Sequence, residues 1–171
     1  MDGRLFYGVW VDFVVWERGE KMEELYEYRK RLMTDFAEAG RDLESRVSGG
    51  DAAEGSKENA ARLTEGLRHL WAVEVRLFQP CLRRILTEQE PFLDCPASPG
   101  LELEDSQGSK AQLLEQYLEL RRQELEWARN LQSSGWIRRG YHPRWGWRTF
   151  QWWLERSQAH LADHLRLLGP S

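Results

Sequence analysis

The sequence predicts an all-α protein, a four-helix bundle, and three observations support this fold class. Four segments repeat apolar residues at steps of three and four, the period of an amphipathic helix with one buried face. Polar, glycine-rich or proline-rich connections separate them and are longer than a simple up-and-down bundle needs. A chain of 171 residues is also long enough to bury a core. We therefore expect one domain over residues 1–171, with a hydrophobic N-terminal extension at 1–19 and the bundle at 20–168.

Composition and charge narrow the class of protein. Hydrophobic residues make up 41% and charged residues 30% of the chain, which is typical of a folded globular protein. The net charge of −4 and the pI near 5.7 provide no overall basic surface, so we expect no nucleic-acid partner. The nine tryptophans favour a large aromatic core or an aromatic-lined pocket.

Cysteine spacing and the N-terminal run favour a cytoplasmic protein. Cys81 and Cys95 do not stand in C-x-x-C spacing, so a redox motif or a zinc ribbon has little support and reduced thiols are expected. The apolar run from Leu5 to Trp16 contains Asp12, lacks a small-residue cleavage site and is too short to span a bilayer. We expect neither a signal peptide nor a membrane anchor.

The N-terminal run is compatible with two structures. Every second residue is apolar, as in a strand, yet Val9, Phe13 and Trp16 also stand at helical spacing. So much apolar surface needs a partner, either the domain's own core or the second subunit of a homodimer. From Lys21 onwards the helical period is clear, and the sequence S-G-G-D at 48–51 is expected to end this first helix.

The second helical segment covers residues 57–86 and contains a proline. Pro80 removes one hydrogen bond of the helix, so a kink or a break is expected near Phe78. His69 lies near the middle of this helix, where a single histidine is more often a core or boundary residue than a ligand. Several prolines then predict a long loop at 88–108, and such loops often border a binding site.

The third helix is predicted at 109–131, and its charged stretch at 119–126 has an ordinary solvated pattern. The following stretch, 133–148, interleaves arginines with Trp and Tyr. Such a cluster can hold nucleic acid or a carboxylate-bearing small molecule, although a solvated loop packed over the end of the bundle is the favoured interpretation. Its arginines are Arg138, Arg139, Arg144 and Arg148, and it also contains His142.

The fourth helix is predicted from Phe150 to Leu168. His160 and His164 stand four residues apart, which places both imidazoles on the same side of a helix, one turn above the other. Two buried imidazoles side by side need partners, because both cannot be protonated at low cost. Either they share a cation, or they are neutral core histidines bonded to a hydroxyl or a carboxylate.

Two histidine motifs stand in the second and fourth helices. The first is L-R-H-L-W-A-V-E-V-R-L-F at 67–78, a helix-two histidine followed five residues later by an acid. The second is W-L-E-R-S-Q-A-H-L-A-D-H-L-R-L-L at 153–168, the helix-four H-x-x-x-H. With these motifs the sequence resembles the DinB (DinB/YfiT) superfamily of metal-dependent four-helix proteins, and the segments at 110–125 and 146–150 also stand where this superfamily places them. The resemblance covers about residues 20–168.

The resemblance implies a three-histidine metal site. His69, His160 and His164 match the three ligands of the family, which implies one divalent ion per chain, such as zinc, nickel or manganese. Three neutral imidazoles leave coordination positions open for water or substrate, as in catalytic sites. Glu74 and Asp163 either hydrogen-bond the ligands or are solvated surface acids.

The resemblance also implies an activity. Members of the family include thiol S-transferases, which join low-molecular-weight thiols to electrophiles, so a small thiol is the expected substrate class. The four arginines of 133–148 would hold the carboxylates of the thiol, and His142 would assist proton transfer. Two alternatives remain open: a noncatalytic metal-binding or stress-related protein that mainly dimerises, and a metal-dependent hydrolase that uses the same ligands.

Overall fold

A computed structural model describes the backbone of residues 7–49, 57–96 and 108–167. The elements, in order, are α1 (Tyr7–Gly49), α2 (Lys57–Val73), a π-helical turn (Glu74–Phe78), α3 (Gln79–Thr87), α4 (Lys110–Asn130), α5 (Ser133–Trp136), β1 (Arg139–His142), β2 (Gly146–Thr149) and α6 (Phe150–Leu167). The predicted all-α class is confirmed, with one small sheet added. No helix within these described ranges has the length and apolar character needed to cross a membrane.

Contacts divide the chain into two compact units, Met1–Thr34 and Asp35–Ser171. In the first unit the backbone is helical from Tyr7, so the described part of the apolar run, residues 7–16, forms a helix and not a strand. Residues 1–6 and the side chains of 7–20 lie outside the described part, and the partner of this run stays a prediction. The same helix ends at Gly49, as its sequence predicts.

The second bundle helix runs through its proline because one turn is widened. The ring of a proline collides with the carbonyl four residues back in a regular α-helix, and proline has no N–H to donate. Here the turn before Pro80 is π-helical, and the N–H of Gln79 donates to the carbonyl of Glu74, five residues back. The predicted irregularity near Phe78 is confirmed, and its form is a π turn.

The last two bundle helices begin and end close to the predicted positions. Ser109 caps α4: its hydroxyl accepts from the N–H of Gln112, whose side chain accepts in return from the N–H of Ser109. The helix ends at Asn130. Near the C-terminus of α6, Arg46 donates to the carbonyl of Leu165 at 3.1 Å, which satisfies an acceptor that the helix leaves free.

One hydrophobic cluster joins all four bundle helices at the end of the second unit that contains the C-terminus of α1. Each helix contributes leucines, and full burial of one such side chain stabilises the fold by about 1.5–3 kcal/mol. The cluster consists of Leu43, Val47, Leu67, Leu70, Leu113, Leu114, Tyr117, Leu161 and Leu165. The helical faces that the sequence predicts as apolar are therefore the faces that meet.

The connection before α6 is a β-hairpin, which corrects the predicted solvated loop. β1 and β2 pair antiparallel, and Gly146 adopts a φ of 69° at the turn, where a side chain would be strained. On its other edge β1 holds the segment after α3: Leu93 N–H donates to the carbonyl of Tyr141, and Tyr141 N–H donates to that of Pro91. At Gly140 a Cβ atom would lie 2.9 Å from the Leu93 side chain and 3.1 Å from the carbonyl oxygen of Pro91, so a larger residue would push these neighbours away.

Candidate metal centre

Three histidines from two helices meet at one point. α2 presents His69, and successive turns of α6 present His160 and His164. Each imidazole is half-buried, so the group faces the interior of the bundle while one side stays open to solvent. The convergence requires the tertiary fold, because α2 and α6 are far apart in the sequence.

The geometry of the three rings suits a shared cation. The Nε2 atoms of His69 and His160 are 3.2 Å apart, and one ligand nitrogen from each of the three histidines lies within 4.8 Å of the others. Two nitrogens of a tetrahedral site, each about 2.0–2.1 Å from the ion, are separated by about 3.3 Å. The closest pair already has this separation.

The surroundings keep the three imidazoles neutral. Burial lowers the pKa of His69, and the charge of Glu65 opposes this effect. Burial lowers the pKa of His160 to about 3, and the positive charges that His164 and His69 would carry add to the effect. Burial likewise lowers the pKa of His164. Neutral rings offer lone pairs, so the donor set fits a divalent ion and does not fit an anion.

Aromatic rings close the inner side of the histidine group. The ring of Phe78, in the π turn, lies 5.8 Å from that of His160, and Trp153 packs edge-on against Phe78 at 6.4 Å. Both aromatic residues are buried. An apolar wall on one side and solvent on the other means that a small molecule approaches the three histidines from the open side.

A second polar cluster lies in the core next to the triad, and sequence reasoning missed it. Its members are Glu74, Tyr117, Arg121, Glu124 and Ser157, and we call it the buried carboxyl layer. Ser157, one turn before His160 on α6, donates its hydroxyl to the Glu74 carboxylate at 3.2 Å. This contact lies one helical turn from the contact between His69 and His160, on the same two bundle helices.

Arg121 connects the buried carboxyl layer to three helices. Its guanidinium donates to Ser157 Oγ at 3.1 Å and Gln158 Oε1 at 2.7 Å on α6, and to the carbonyl of Phe36 on α1 at 3.3 Å. The same group lies 4.0 Å from the Glu74 carboxylate and 3.5 Å above the Phe36 ring centroid. One buried arginine therefore compensates buried negative charge and ties the helices together.

The layer contains two carboxyl groups and one guanidinium, so one proton completes its charge balance. Burial raises the pKa of Glu124 well above its usual range, and the charge of Glu74 adds to this effect. Neither Glu124 oxygen has a hydrogen-bond partner among the described groups while the carboxyl is ionised. A proton on Glu124 neutralises it and supplies a donor for Glu74.

The interpretation of residues 119–126 as solvated is wrong for two of its members. Arg121 is 3% exposed and Glu124 is 0% exposed. The signal was in the spacing: Tyr117, Arg121, Glu124 and Ala128 follow at steps of four, three and four, on the face that also carries buried leucines. Glu74 is also completely buried, whereas Asp163 is an exposed acid paired with Arg166 at 2.5 Å.

The four arginines of 133–148 make contacts along the hairpin and the end of α3. Arg138 donates to the carbonyls of Ile85 and Glu88, at 2.8 and 2.7 Å, and so satisfies acceptors at the C-terminus of α3. Arg139 forms an ion pair with Glu90 at 2.8 Å. Arg144 lies 5.7 Å from the ring of Trp145, and Arg148 lies 5.2 Å from that of Trp152.

His142 is buried under the hairpin, and both ring nitrogens are engaged by backbone groups. Nε2 donates to the carbonyl of Cys95 at 2.9 Å, and Nδ1 accepts from the N–H of Arg144 at 3.1 Å. The ring contacts Trp153, whose own contact with Phe78 leads on to the triad. With both nitrogens occupied, this arrangement leaves none free to accept or deliver a proton.

Three tryptophans of the C-terminal half build an aromatic cluster between the hairpin and α6. Trp153 is fully buried, and Trp145 and Trp152 pack on it edge-on at 5.4 and 5.1 Å. Trp136 is buried against Phe150. The prediction of a large aromatic core is confirmed for this part of the molecule.

A comparison with solved structures identifies the class of fold. YfiT from Bacillus subtilis, described as a probable metal-dependent hydrolase with an unusual four-helix bundle topology, superposes with a TM-score of 0.64. The match covers 85% of this chain and 90% of YfiT at 18% sequence identity. At this identity the likeness shows the fold alone, and it confirms the four-helix bundle that the resemblance implies. No protein-family model and no curated protein sequence matches the chain.

Proposed function

We propose that this protein is a divalent-metal-dependent enzyme that holds one ion per chain on His69, His160 and His164. The observation that carries the proposal is the convergence of three neutral imidazoles, with ligand nitrogens within 4.8 Å of one another, at a half-exposed position. A structural zinc site normally has four protein ligands, whereas three ligands leave a position for a reactant. The candidate ions are zinc, nickel and manganese.

The chemistry follows from the charge of the donor set. Three uncharged donors leave the full charge of a divalent ion at the site, which favours anionic ligands such as thiolates. When bound, such an ion lowers the pKa of a thiol or a water molecule, so that the nucleophile forms at neutral pH. The apolar wall of Phe78 and Trp153 excludes water from the inner side of the histidines.

The leading reaction is S-transfer from a low-molecular-weight thiol to an electrophile. In this reaction the thiol loses its proton, a carbon–sulfur bond forms, and the leaving group departs with its electron pair. A carboxylate-bearing thiol needs a cation near the open side. Arg144 is a better candidate for this cation than Arg139, because Arg139 already forms an ion pair with Glu90. Replacing Arg144 by Met should raise the KM for the thiol more than it lowers kcat, and replacing Arg139 should have the smaller effect.

Metal-dependent hydrolysis is the second candidate, and the description of YfiT favours it. Both reactions use the same three ligands, so only the nucleophile separates them. The test compares metal-loaded and chelated protein, first with several small thiols and a chlorinated aromatic electrophile, then with ester and amide substrates. If metal-loaded protein accelerates the reaction only when a thiol is present, the result supports S-transfer. If it accelerates the reaction of esters or amides without a thiol, the result supports hydrolysis. Equal rates with and without metal in both assays contradict an enzymatic role and favour a noncatalytic metal-binding protein.

Metal stoichiometry tests the ligand set directly. Protein purified without a polyhistidine tag should contain nearly one ion per chain by elemental analysis. Replacing His69, His160 or His164 by Ala should lower the affinity for the ion by more than about 100-fold, the largest cost expected for a residue that only orients a ligand. His142→Ala is the matched control, since it removes the remaining histidine and should retain the ion. Full metal content in His69→Ala protein, with loss in His160→Ala protein, would contradict the three-ligand site.

A further inference from the structure

The two cysteines of the chain meet outside the metal centre. Cys81 is completely buried on α3, and Cys95 is half-buried in the segment that follows this helix. The structure contains both as free thiols, close enough together that each thiol shifts the pKa of the other. Their spacing in the sequence fits no redox motif, so only the fold reveals the pair.

Contacts on both sides hold Cys95 against α3. Arg84, one turn after Cys81, forms an ion pair with Asp94 at 2.6 Å. On the other side, the carbonyl of Cys95 accepts from His142 at 2.9 Å. The backbone of Leu93 is also fixed, because its N–H donates to the first hairpin strand at 2.7 Å. The contact between the thiols is therefore built into the fold.

The two thiols differ in burial and in acidity. The hydrogen bond that Cys81 donates to Cys95 raises the pKa of Cys81, and burial raises it further. Accepting the same bond lowers the pKa of Cys95. A thiol that is more acidic and partly exposed is the one that reacts with a small oxidant, and the buried neighbour stands ready to displace the product.

We propose that Cys81 and Cys95 form a redox-active dithiol that a hydroperoxide converts to an intramolecular disulfide. The Cys95 thiolate attacks one peroxide oxygen, the O–O bond breaks, and Cys95 becomes a sulfenic acid while the other oxygen leaves as an alcohol or water. The sulfur of Cys81 then attacks the sulfur of Cys95. The S–S bond forms, the S–O bond breaks, and the hydroxyl leaves as water with the proton of Cys81. The two sulfurs lose two electrons and the hydroperoxide gains them.

The parent protein provides the first test, since the chain has only two cysteines and one intramolecular pairing. Folded, chelator-treated protein is exposed to a small excess of hydrogen peroxide, quenched and alkylated with a maleimide. We expect the intact mass to fall by two hydrogen atoms, both thiols to become unreactive together, and a reductant to restore them. Thiols that stay alkylatable, a disulfide-linked dimer, or a gain of two oxygens would each overturn the proposal.

Two single variants test the order of the steps. Cys81→Ser keeps the exposed thiol, and we expect a sulfenic acid that a dimedone probe traps at least about tenfold faster than in Cys95→Ser protein. Equal labelling of the two variants would contradict the assigned roles. If Cys81→Ser protein does not fold, the intact mass of the oxidised parent protein still tests whether the disulfide forms. Because chelated protein is used, the proposal stands or fails separately from the metal-dependent function.

Discussion

Two polar clusters lie about one helical turn apart in the bundle, and the cost of burying polar groups is compensated differently in each. The histidine group is half-buried and uncharged, with ligand nitrogens that face one another. The buried carboxyl layer is completely enclosed, and its groups carry charge. In the layer, Arg121 and one proton compensate the carboxyls of Glu74 and Glu124.

This difference in burial and charge marks the histidine group as a binding site and the buried carboxyl layer as part of the structural core. Polar groups that are satisfied inside the fold stabilise it and hold their neighbours in position. Ligand nitrogens whose lone pairs face one another have too few protons to pair them all. They therefore need a proton or a cation from solvent. Partial exposure gives access to the histidine group, whereas the layer has no exposed side chain. We therefore expect variants of the layer to change stability and variants of the triad to change metal binding.

The largest effect should come from removing the buried guanidinium. Arg121→Met leaves Glu74 and Glu124 in the core without a positive partner, and breaking a buried pair in this way costs about 3–5 kcal/mol. Chemical denaturation measures the free energy of unfolding. Arg122→Met is the matched control, because the neighbouring side chain is 67% exposed and its ion pair with Glu119 should contribute at most about 1 kcal/mol. An equal loss of unfolding free energy in both variants would contradict the structural role of the buried carboxyl layer.

The next effect should come from the metal. An ion at about 100 times its dissociation constant should stabilise the parent by about 2.7 kcal/mol. For a domain of this size, that corresponds to a rise in Tm of about 5 to 10 °C. His160→Ala protein should show no such rise, whereas Arg121→Met protein, where it folds, should keep it. A metal-induced shift of the same size in His160→Ala protein would mean that the ion binds elsewhere.

A third effect should appear as a pH dependence of stability. The pKa of Glu124 is raised in the folded protein, so the folded state keeps a proton that the unfolded chain releases. Stability is then fully present below the ordinary glutamate pKa and falls as pH rises toward the folded value, by up to about 1.4 kcal/mol per pH unit. The groups that face Glu124 are Glu74, Arg121 and Tyr117.

Glu124→Gln isolates this contribution. An amide cannot ionise, so the difference in unfolding free energy between variant and parent should move in favour of the variant from about pH 5 to about pH 8. At the acidic end the two proteins should agree within about 1.5 kcal/mol, the net contribution of one hydrogen bond. A difference that stays constant across this range would mean that Glu124 is ionised in the folded state.

The smallest effect should come from Asp163, the acid between the two α6 ligands. It is exposed and paired with Arg166, so Asp163→Asn should change stability by at most about 1 kcal/mol. Its metal affinity should fall by less than about tenfold, below the range found when an acid orients a ligand directly. A larger loss of affinity would move Asp163 from the surface into the metal centre.

The helices follow closely from the sequence, because apolar periodicity and capping residues act locally. The first helix ends at Gly49, Ser109 caps α4, and the turn before Pro80 is irregular, all as their local sequence predicts. The hairpin was missed because its strands are only four residues long and surround a turn rich in arginine and tryptophan. Its pairing depends on Gly140 and Gly146, whose role shows only beside Leu93 and at the turn.

The sequence by itself determined the class of fold, the helices and the histidines that belong together by resemblance. Helical periodicity is a short-range property, and a residue pattern of steps of three and four is enough to define a buried face. The tertiary structure decided which charged residues enter that face. Arg121 and Glu124 stand at the spacing of the buried face, yet their charges predict solvated residues. Arg121 is buried because Glu74 and Ser157, on other helices, pair with it. Such compensation exists only between distant segments, so no local pattern reveals it.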